Sequence, residues 1–152
     1  MPTQPLTKLQ QLVDVVKARV SKEIVREGAD TEMIGGLTKL GNETERLLKC
    51  IAEMVCREHN VDLATQSAGH PAGSGTYSKI VRHLTRSTLP KGDALLTKII
   101  KDLRLPRDQS ALGRLIDLRN SNNHPRTQPI DRPRVLRVLQ AVDQLLTVQV
   151  PT

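Results

Sequence analysis

The segment 114–126, RLIDLRNSNNHPR, places residues that can do chemistry where a helical pattern ends. Arg119 follows Leu115 by four residues, so it lies on the apolar face of the predicted helix and not opposite it. His124 is five residues further on, about 140° round an ideal helix, and Pro125 disfavours helical geometry at His124. We therefore expect the helix to end here, with a fixed cation and a titratable imidazole close to each other.

An arginine and a histidine in this setting are suited to metal-independent cleavage of RNA. The 2′-hydroxyl would attack the adjacent phosphate, and His124 would take or give the proton because imidazole titrates near neutral pH. Arg119 would hold the phosphate and stabilise the charge that builds on it. The expected products carry a 2′,3′-cyclic phosphate and a 5′-hydroxyl. DNA would not be cut because it lacks the nucleophile, and the reaction needs no cofactor and no metal ion.

The run Arg119-Asn120-Ser121-Asn122-Asn123-His124 resembles the Arg-Asn-x-x-x-His signature of HEPN domains. That resemblance implies an all-α bundle with the motif at the end of a late helix, and a homodimer in which two motifs form one composite site. Many HEPN proteins are ribonucleases, among them toxins of toxin–antitoxin and phage-defence systems and the nuclease domains of RNA-targeting CRISPR effectors. The resemblance makes Arg119 and His124 the catalytic pair and Asn120 the residue that orients the histidine. It also implies an antitoxin or a larger effector as a possible protein partner.

Two further positions bear on this resemblance. HEPN toxins that pair with nucleotidyltransferase antitoxins usually carry a tyrosine two residues after the histidine, where this chain has Arg126. Many members also have a polar or acidic residue on an early helix that faces the site. Glu43 and Glu45 are both candidates for that role in this chain.

The remaining sequence predicts helices throughout. Apolar residues recur at helical spacing over about 7–27, 31–59, 77–87 and 93–104, and Asp108 and Asp131 are suitable N-caps for the motif helix and the last helix. Thr7 and Gln10 offer a capping box for the first helix. Three glycines weaken the second helix, which could kink or restart at Asn42. We expect one all-α, HEPN-like domain over 1–152 with five or six helices, four of them in the main bundle, and a long flexible loop at 60–76.

The composition agrees with a helical bundle, and it also bears on where in the cell the protein is expected. Hydrophobic residues make up 38% of the chain, and Tyr77 is its one aromatic residue, which argues against a sheet. No apolar run approaches the roughly 18 residues that span a bilayer, and the first residues lack a signal-peptide pattern. Cys50 and Cys56 lie about 9 Å apart along a helix, too far for a disulfide. The expectation is a soluble cytoplasmic protein with two core thiols and no membrane partner.

Positive charge is concentrated in the second half of the chain. The net charge is +7, yet residues 1–76 carry 9 Lys/Arg against 10 Asp/Glu, whereas residues 77–152 carry 14 against 6. A basic half is typical of nucleic-acid binding, although an acidic protein or a membrane surface would also fit. We expect RNA contacts from Arg82, Arg86, Asn123 and Arg126. The near absence of aromatic residues argues against base stacking as the mode of recognition.

Each motif residue also has a plainer interpretation. Arg119 could be a partly buried arginine that pairs with a carboxylate, the asparagines could end a helix, and His124 could be a surface histidine. Two other functions therefore remain open. The chain could be a catalytically silent helical module that binds RNA or an acidic protein, or a dimerisation or adaptor domain of a larger defence protein.

Two other patterns carry little weight. Cys56, His59 and His70 could suggest a metal site, but no fourth ligand or paired spacing supports one. The glycine-rich stretch GHPAGSGTYSK lacks the residue order of a phosphate-binding P-loop. Its plainer role is a connector in which Thr76 caps the following helix.

Overall fold

Helices are the regular structure of this chain. The computed structural model describes residues 4–90, 93–122 and 129–147, which contain seven helices and no strand. The helices are α1 (Gln4–Ile24), α2 (Asp30–Glu58), α3 (Leu63–Gln66), α4 (Ser74–Leu84), α5 (Ala94–Leu103), α6 (Ala111–Asn122) and α7 (Arg132–Leu146). The all-α class is confirmed. The seven helices exceed the expected five or six, and one of them, α3, lies inside the segment 60–76 that we expected to be a loop.

Four of the helices pack in a closed ring. α1 packs on α2, α2 on α6, α6 on α7, and α7 returns to α1. Outside the ring, α4 packs on α2 and α5, and α5 also contacts α6 and α7. The space inside the ring is filled by aliphatic side chains, for example Val13, Leu40, Ile51, Leu115 and Leu139. The motif helix α6 is thus a wall of the main bundle.

The longest helix, α2, is the element on which α1, α4 and α6 all pack. The apolar stripe predicted for it is buried throughout: Met33, Leu37, Leu40, Thr44, Leu47, Ile51 and Val55. The buried hydroxyl of Thr44 is satisfied because it donates to the Leu40 carbonyl at 2.8 Å. The alternative in which the helix restarts at Asn42 is wrong, since α2 is one continuous helix through its glycines. Packing on three sides outweighs a helix-propensity cost of about 1 kcal/mol per glycine.

The predicted cap at Asp131 is confirmed, and Asp93, where the sequence predicts that a helix begins, caps α5 in the same way. The Asp93 side chain accepts from the Leu96 N–H at 2.8 Å at the start of α5. The Asp131 side chain accepts from the Arg134 N–H at 3.2 Å at the start of α7. In both helices the capping side chain accepts from the N–H three residues later. A cap of this kind is local, so it can be predicted from the sequence.

Two other predicted helix starts are wrong. α1 begins before Thr7, so Thr7 and Gln10 do not form its capping box. α4 begins at Ser74, and the Thr76 hydroxyl donates to the Pro71 carbonyl at 2.6 Å instead of capping the helix. Both helices extend about one turn further towards the N-terminus than their apolar stripes.

The start of α6 is held by a carboxylate from another helix. Asp102, buried on α5, accepts from the Ser110 hydroxyl at 2.7 Å and from the N–H groups of Ala111 and Leu112 at 2.8 and 3.2 Å. The Ser110 hydroxyl in turn accepts from the Gly113 N–H at 3.2 Å. The expectation that Asp108 caps α6 is therefore wrong, because Asp108 lies exposed in the preceding turn. A negative charge at a helix N-terminus is favourable, and this one is shielded from solvent.

Two remaining expectations concern the thiols and the membrane. Cys50 and Cys56 are buried and unbridged, as expected, and burial raises the pKa of both thiols. Within the part of the chain that the structure describes, no helix is long and apolar enough to cross a membrane.

Replacing Asp102 with alanine is expected to destabilise the fold by roughly 2–3 kcal/mol, because three hydrogen-bond donors lose a charged acceptor at once. Asp108→Ala is the matched control, with an expected change within about 0.5 kcal/mol for an exposed turn residue. Urea unfolding of both variants measures the difference. Equal stability of the two would show that Asp102 does not hold α6.

Candidate functional site

Arg119 lies in the interface between α6 and α2. Its side chain is 12% exposed, and its aliphatic stem passes directly over Gly41. A Cβ added to Gly41 would overlap the Arg119 Cδ and lie 3.0 Å from the Arg119 Cβ. The absence of a side chain at position 41 therefore lets a long arginine occupy the core face of α6 without pushing the two helices apart.

The guanidinium of Arg119 lies at the surface, where it makes four polar contacts with three residues. Its Nη2 forms an ion pair with Oε1 of Glu45 at 2.7 Å, and its Nη1 donates to Oδ1 of Asn42 at 3.3 Å. Its Nε and Nη2 both donate to Oδ1 of Asn120, at 3.1 and 3.0 Å. Both asparagines are exposed. The stem of Arg119 is thus packed while its charged end borders solvent.

Only one of the two candidate early-helix acids faces Arg119. Glu45 pairs with Arg119, whereas Glu43 accepts from Arg19 of α1, with the shortest contact at 2.9 Å. Residues two apart point about 200° away from each other on a helix, so one of the pair had to face elsewhere. Glu45 is therefore the acidic residue of this site.

This arrangement holds a cation in a fixed place without burying it. Glu45 is 32% exposed, and ion pairs that border water contribute on the order of 1 kcal/mol or less. Each terminal nitrogen of a guanidinium carries two hydrogens, and Nη1 uses one of them on Asn42. The second Nη1 hydrogen has no partner among the described residues. An anion that arrives from solvent could take that hydrogen without first breaking the pair with Glu45.

The rest of the predicted catalytic segment lies beyond the described part of α6. His124, Asn123 and Arg126 fall in 123–128, outside the described residues. The convergence of His124 with Arg119 thus stays a prediction. Asn120, expected to orient the histidine, uses its Oδ1 as an acceptor for Arg119 in this structure.

The two arginines predicted on the third helix differ in their surroundings. Arg82 is an exposed residue of α4 whose Nε donates to the Leu103 carbonyl at 3.4 Å, and it lines a cleft between α4 and α6. Arg86 is exposed beyond the end of α4, and its carbonyl accepts from the Arg104 Nη2 at 3.0 Å. Of the two, Arg82 is the one that faces a cavity.

No metal site forms in the part of the chain that the structure describes. No group of three or more His, Cys, Asp or Glu side chains there is placed to hold a metal ion. Cys56 is buried, whereas His59 and His70 are exposed. The weak pattern noted in the sequence therefore does not correspond to a site.

Comparison with known proteins adds nothing to these observations. No protein-family model, curated protein or solved structure matches this chain. Function therefore has to be inferred from the motif and its structural setting.

Sequence reasoning missed two residues that shape the site, Gly41 and Asn42. The three glycines of α2 suggested a weak helix. The position of Gly41 could have indicated its role, because Gly41 lies one turn after Leu37 and one turn before Thr44 on the buried stripe. A glycine in such a place is typical of a close approach by another chain segment.

Gly41→Ala is expected to destabilise the protein by about 1–3 kcal/mol, because α6 and Arg119 must move to admit the methyl group. Gly35→Ala, also in α2, meets nothing within 4 Å and is expected to stabilise by about 0.5–1 kcal/mol through helix propensity. Chemical unfolding of the two variants provides the comparison. If both alanines stabilise alike, Arg119 does not pack over Gly41.

Proposed function

We propose that this protein is a metal-independent endoribonuclease of the HEPN type, in which Arg119 holds the scissile phosphate and His124 transfers the proton. The observation that carries the proposal is the placement of Arg119. An arginine on the core face of a bundle helix is accommodated by a glycine of α2, and its charged end is presented to solvent. The histidine of the motif follows in sequence two residues after the last described residue of α6.

In the proposed reaction the 2′-hydroxyl attacks the adjacent phosphorus and the bond to the 5′-oxygen breaks. Arg119 stabilises the negative charge that grows on the non-bridging oxygens, and its fixed stem means that little reorganisation is required at that moment. Glu45 keeps the guanidinium in place through the ion pair. His124 exchanges protons with the attacking or leaving oxygen. The homodimer implied by the HEPN resemblance would bring two such sets of residues to one cleft.

Wild-type protein is expected to cleave RNA in the presence of EDTA, to leave DNA intact, and to produce 2′,3′-cyclic phosphate ends. His124→Ala should slow cleavage about 10²–10⁴-fold, and Arg119→Ala about 10²–10³-fold. His59→Ala is the matched control, since His59 is an exposed histidine at the end of α2. Gel assays with an end-labelled RNA measure all four proteins. Cleavage by His124→Ala at the wild-type rate would overturn the proposal.

A second function is favoured by one observation, the ion pair itself. Because Glu45 already balances the charge of Arg119, the arginine also suits a structural role in a catalytically silent module that binds RNA. Such a module would bind RNA with an affinity that falls steeply with salt, and no product would form with any RNA. Binding by wild-type protein without cleavage, unchanged in Arg119→Ala and His124→Ala, would establish this second function in place of the first.

A further inference from the structure

A cleft of about 790 Å³ opens between α4 and α6. Its walls come from the segment before α4, from α4 itself, from the end of α5 and from the start of α6. We call it the α4–α6 cleft. Its volume is in the range of pockets that hold small organic ligands, about 300–1,000 Å³.

The floor of the α4–α6 cleft is aliphatic. It is made by Leu48 of α2, Ile80 of α4, and Leu112 and Ile116 of α6, which are all buried. Among the residues around this floor are the side chains of Gln66, Thr76 and Ser78, which can donate and accept hydrogen bonds. An occupant should therefore have a flat or apolar body with hydrogen-bonding groups at its edge.

The rim of the α4–α6 cleft carries charge of one sign. Its cations are Lys79, Arg82 and Arg107, the imidazoles of His70 and His83 also line it, and no Asp or Glu is among the described residues that do so. The carboxylate that pairs with Arg107, Asp117 at 2.7 Å, does not line the cleft. Lys79 and Arg82 pair with no carboxylate among the described residues, so the aliphatic floor beside these two cations is complementary to a ligand with an apolar body and an anionic group.

The cleft ends one helical turn from the site of the proposed chemistry. On α6, Ile116 of the floor precedes Arg119 by three residues. On α2, Leu48 of the floor follows Glu45 by three residues. Three residues correspond to about 4.5 Å along a helix axis, so both helices of the Arg119 interface continue into the cleft.

We propose that the α4–α6 cleft holds one unpaired nucleotide of a single-stranded RNA, with the base over the aliphatic floor and the phosphate against the basic rim. The strand would continue from this nucleotide to Arg119, a step that rests on the proposed function. A base is flat and partly apolar with a polar edge, and each nucleotide carries one phosphate. Guanidinium planes such as that of Arg82 can stack on a base where aromatic side chains are absent. A paired base cannot enter a cleft of this kind because it is stacked within the duplex.

Binding of a 2′-O-methyl RNA oligonucleotide tests the proposal, because the blocked nucleophile prevents cleavage. Lys79→Ala/Arg82→Ala removes two exposed cations of the rim on one face of α4. The control Arg46→Ala/Lys49→Ala also removes one arginine and one lysine that are three residues apart, but from exposed positions of α2 outside the cleft. Fluorescence anisotropy should show about tenfold or greater loss of affinity for the first variant and little change for the second.

A third variant leaves the charge unchanged. Gly75 lines the cleft, and a Cβ on it would meet nothing within 4 Å, so Gly75→Phe adds bulk at the edge of the cleft with no clash at its Cβ. It should also weaken binding about tenfold, with a thermal unfolding temperature no lower than that of the wild type. Wild-type affinity in both cleft variants would overturn the proposal. So would duplex RNA that binds as tightly as the single strand, or a nucleoside monophosphate that competes as well as the oligonucleotide, which would indicate a free-nucleotide site.

The outcomes for the cleft and for catalysis can be told apart. The blocked oligonucleotide reports binding only, so failure of the wild type to cleave ordinary RNA would refute the ribonuclease and leave the cleft result standing. Conversely, unchanged binding in the cleft variants, with cleavage that depends on His124, would refute the cleft and leave the ribonuclease standing.

Discussion

The close packing of α6 against α2 at Gly41 is the constraint on which the candidate site depends. An arginine on the core face of a helix would normally separate two packed helices or leave the interface towards solvent. Here the missing side chain at position 41 admits the stem of Arg119. Asn42 and Glu45, which follow Gly41 by one and four residues on α2, receive the charged end. Leu48 of α2 and Ile116 of α6 both line the α4–α6 cleft, so the site and the cleft share one helix pair.

The charges of the two halves of the chain are arranged differently at the Arg119 site and on the rim of the α4–α6 cleft. At the site, a carboxylate from the acidic half, Glu45, balances an arginine from the basic half. On the rim of the α4–α6 cleft, cations of the basic half stand with no carboxylate among the described lining residues. Net charge alone could not distinguish these situations, because both contribute to the same total. A fixed, balanced cation suits positioning, whereas Lys79 and Arg82, which pair with no carboxylate among the described residues, can attract an anion from solution.

Much of the fold was predictable because it is encoded in short spacings. The buried stripe of α2, the start of a helix near Asp93 and the cap at Asp131 depend on residues within a turn of each other, and these three predictions were correct. Two features that the sequence did not settle have a different cause. Asp102 replaces Asp108 at the start of α6 because α5 delivers a carboxylate across space. The choice of Glu45 over Glu43 likewise depends on the register of α2 against α6, which periodicity within either helix does not contain.

The ion pair of Arg119 does not by itself decide between a structural and a catalytic arginine. A guanidinium offers five N–H groups, so a carboxylate on one side and a phosphate on the other can be bound together. What matters is whether the pair is sealed from water. With Glu45 32% exposed and both neighbouring asparagines at the surface, it is not sealed. A pair of this kind contributes little to stability, so its main consequence is to fix the direction in which Arg119 points. A positioned cation at the surface is what electrostatic stabilisation of a phosphate requires.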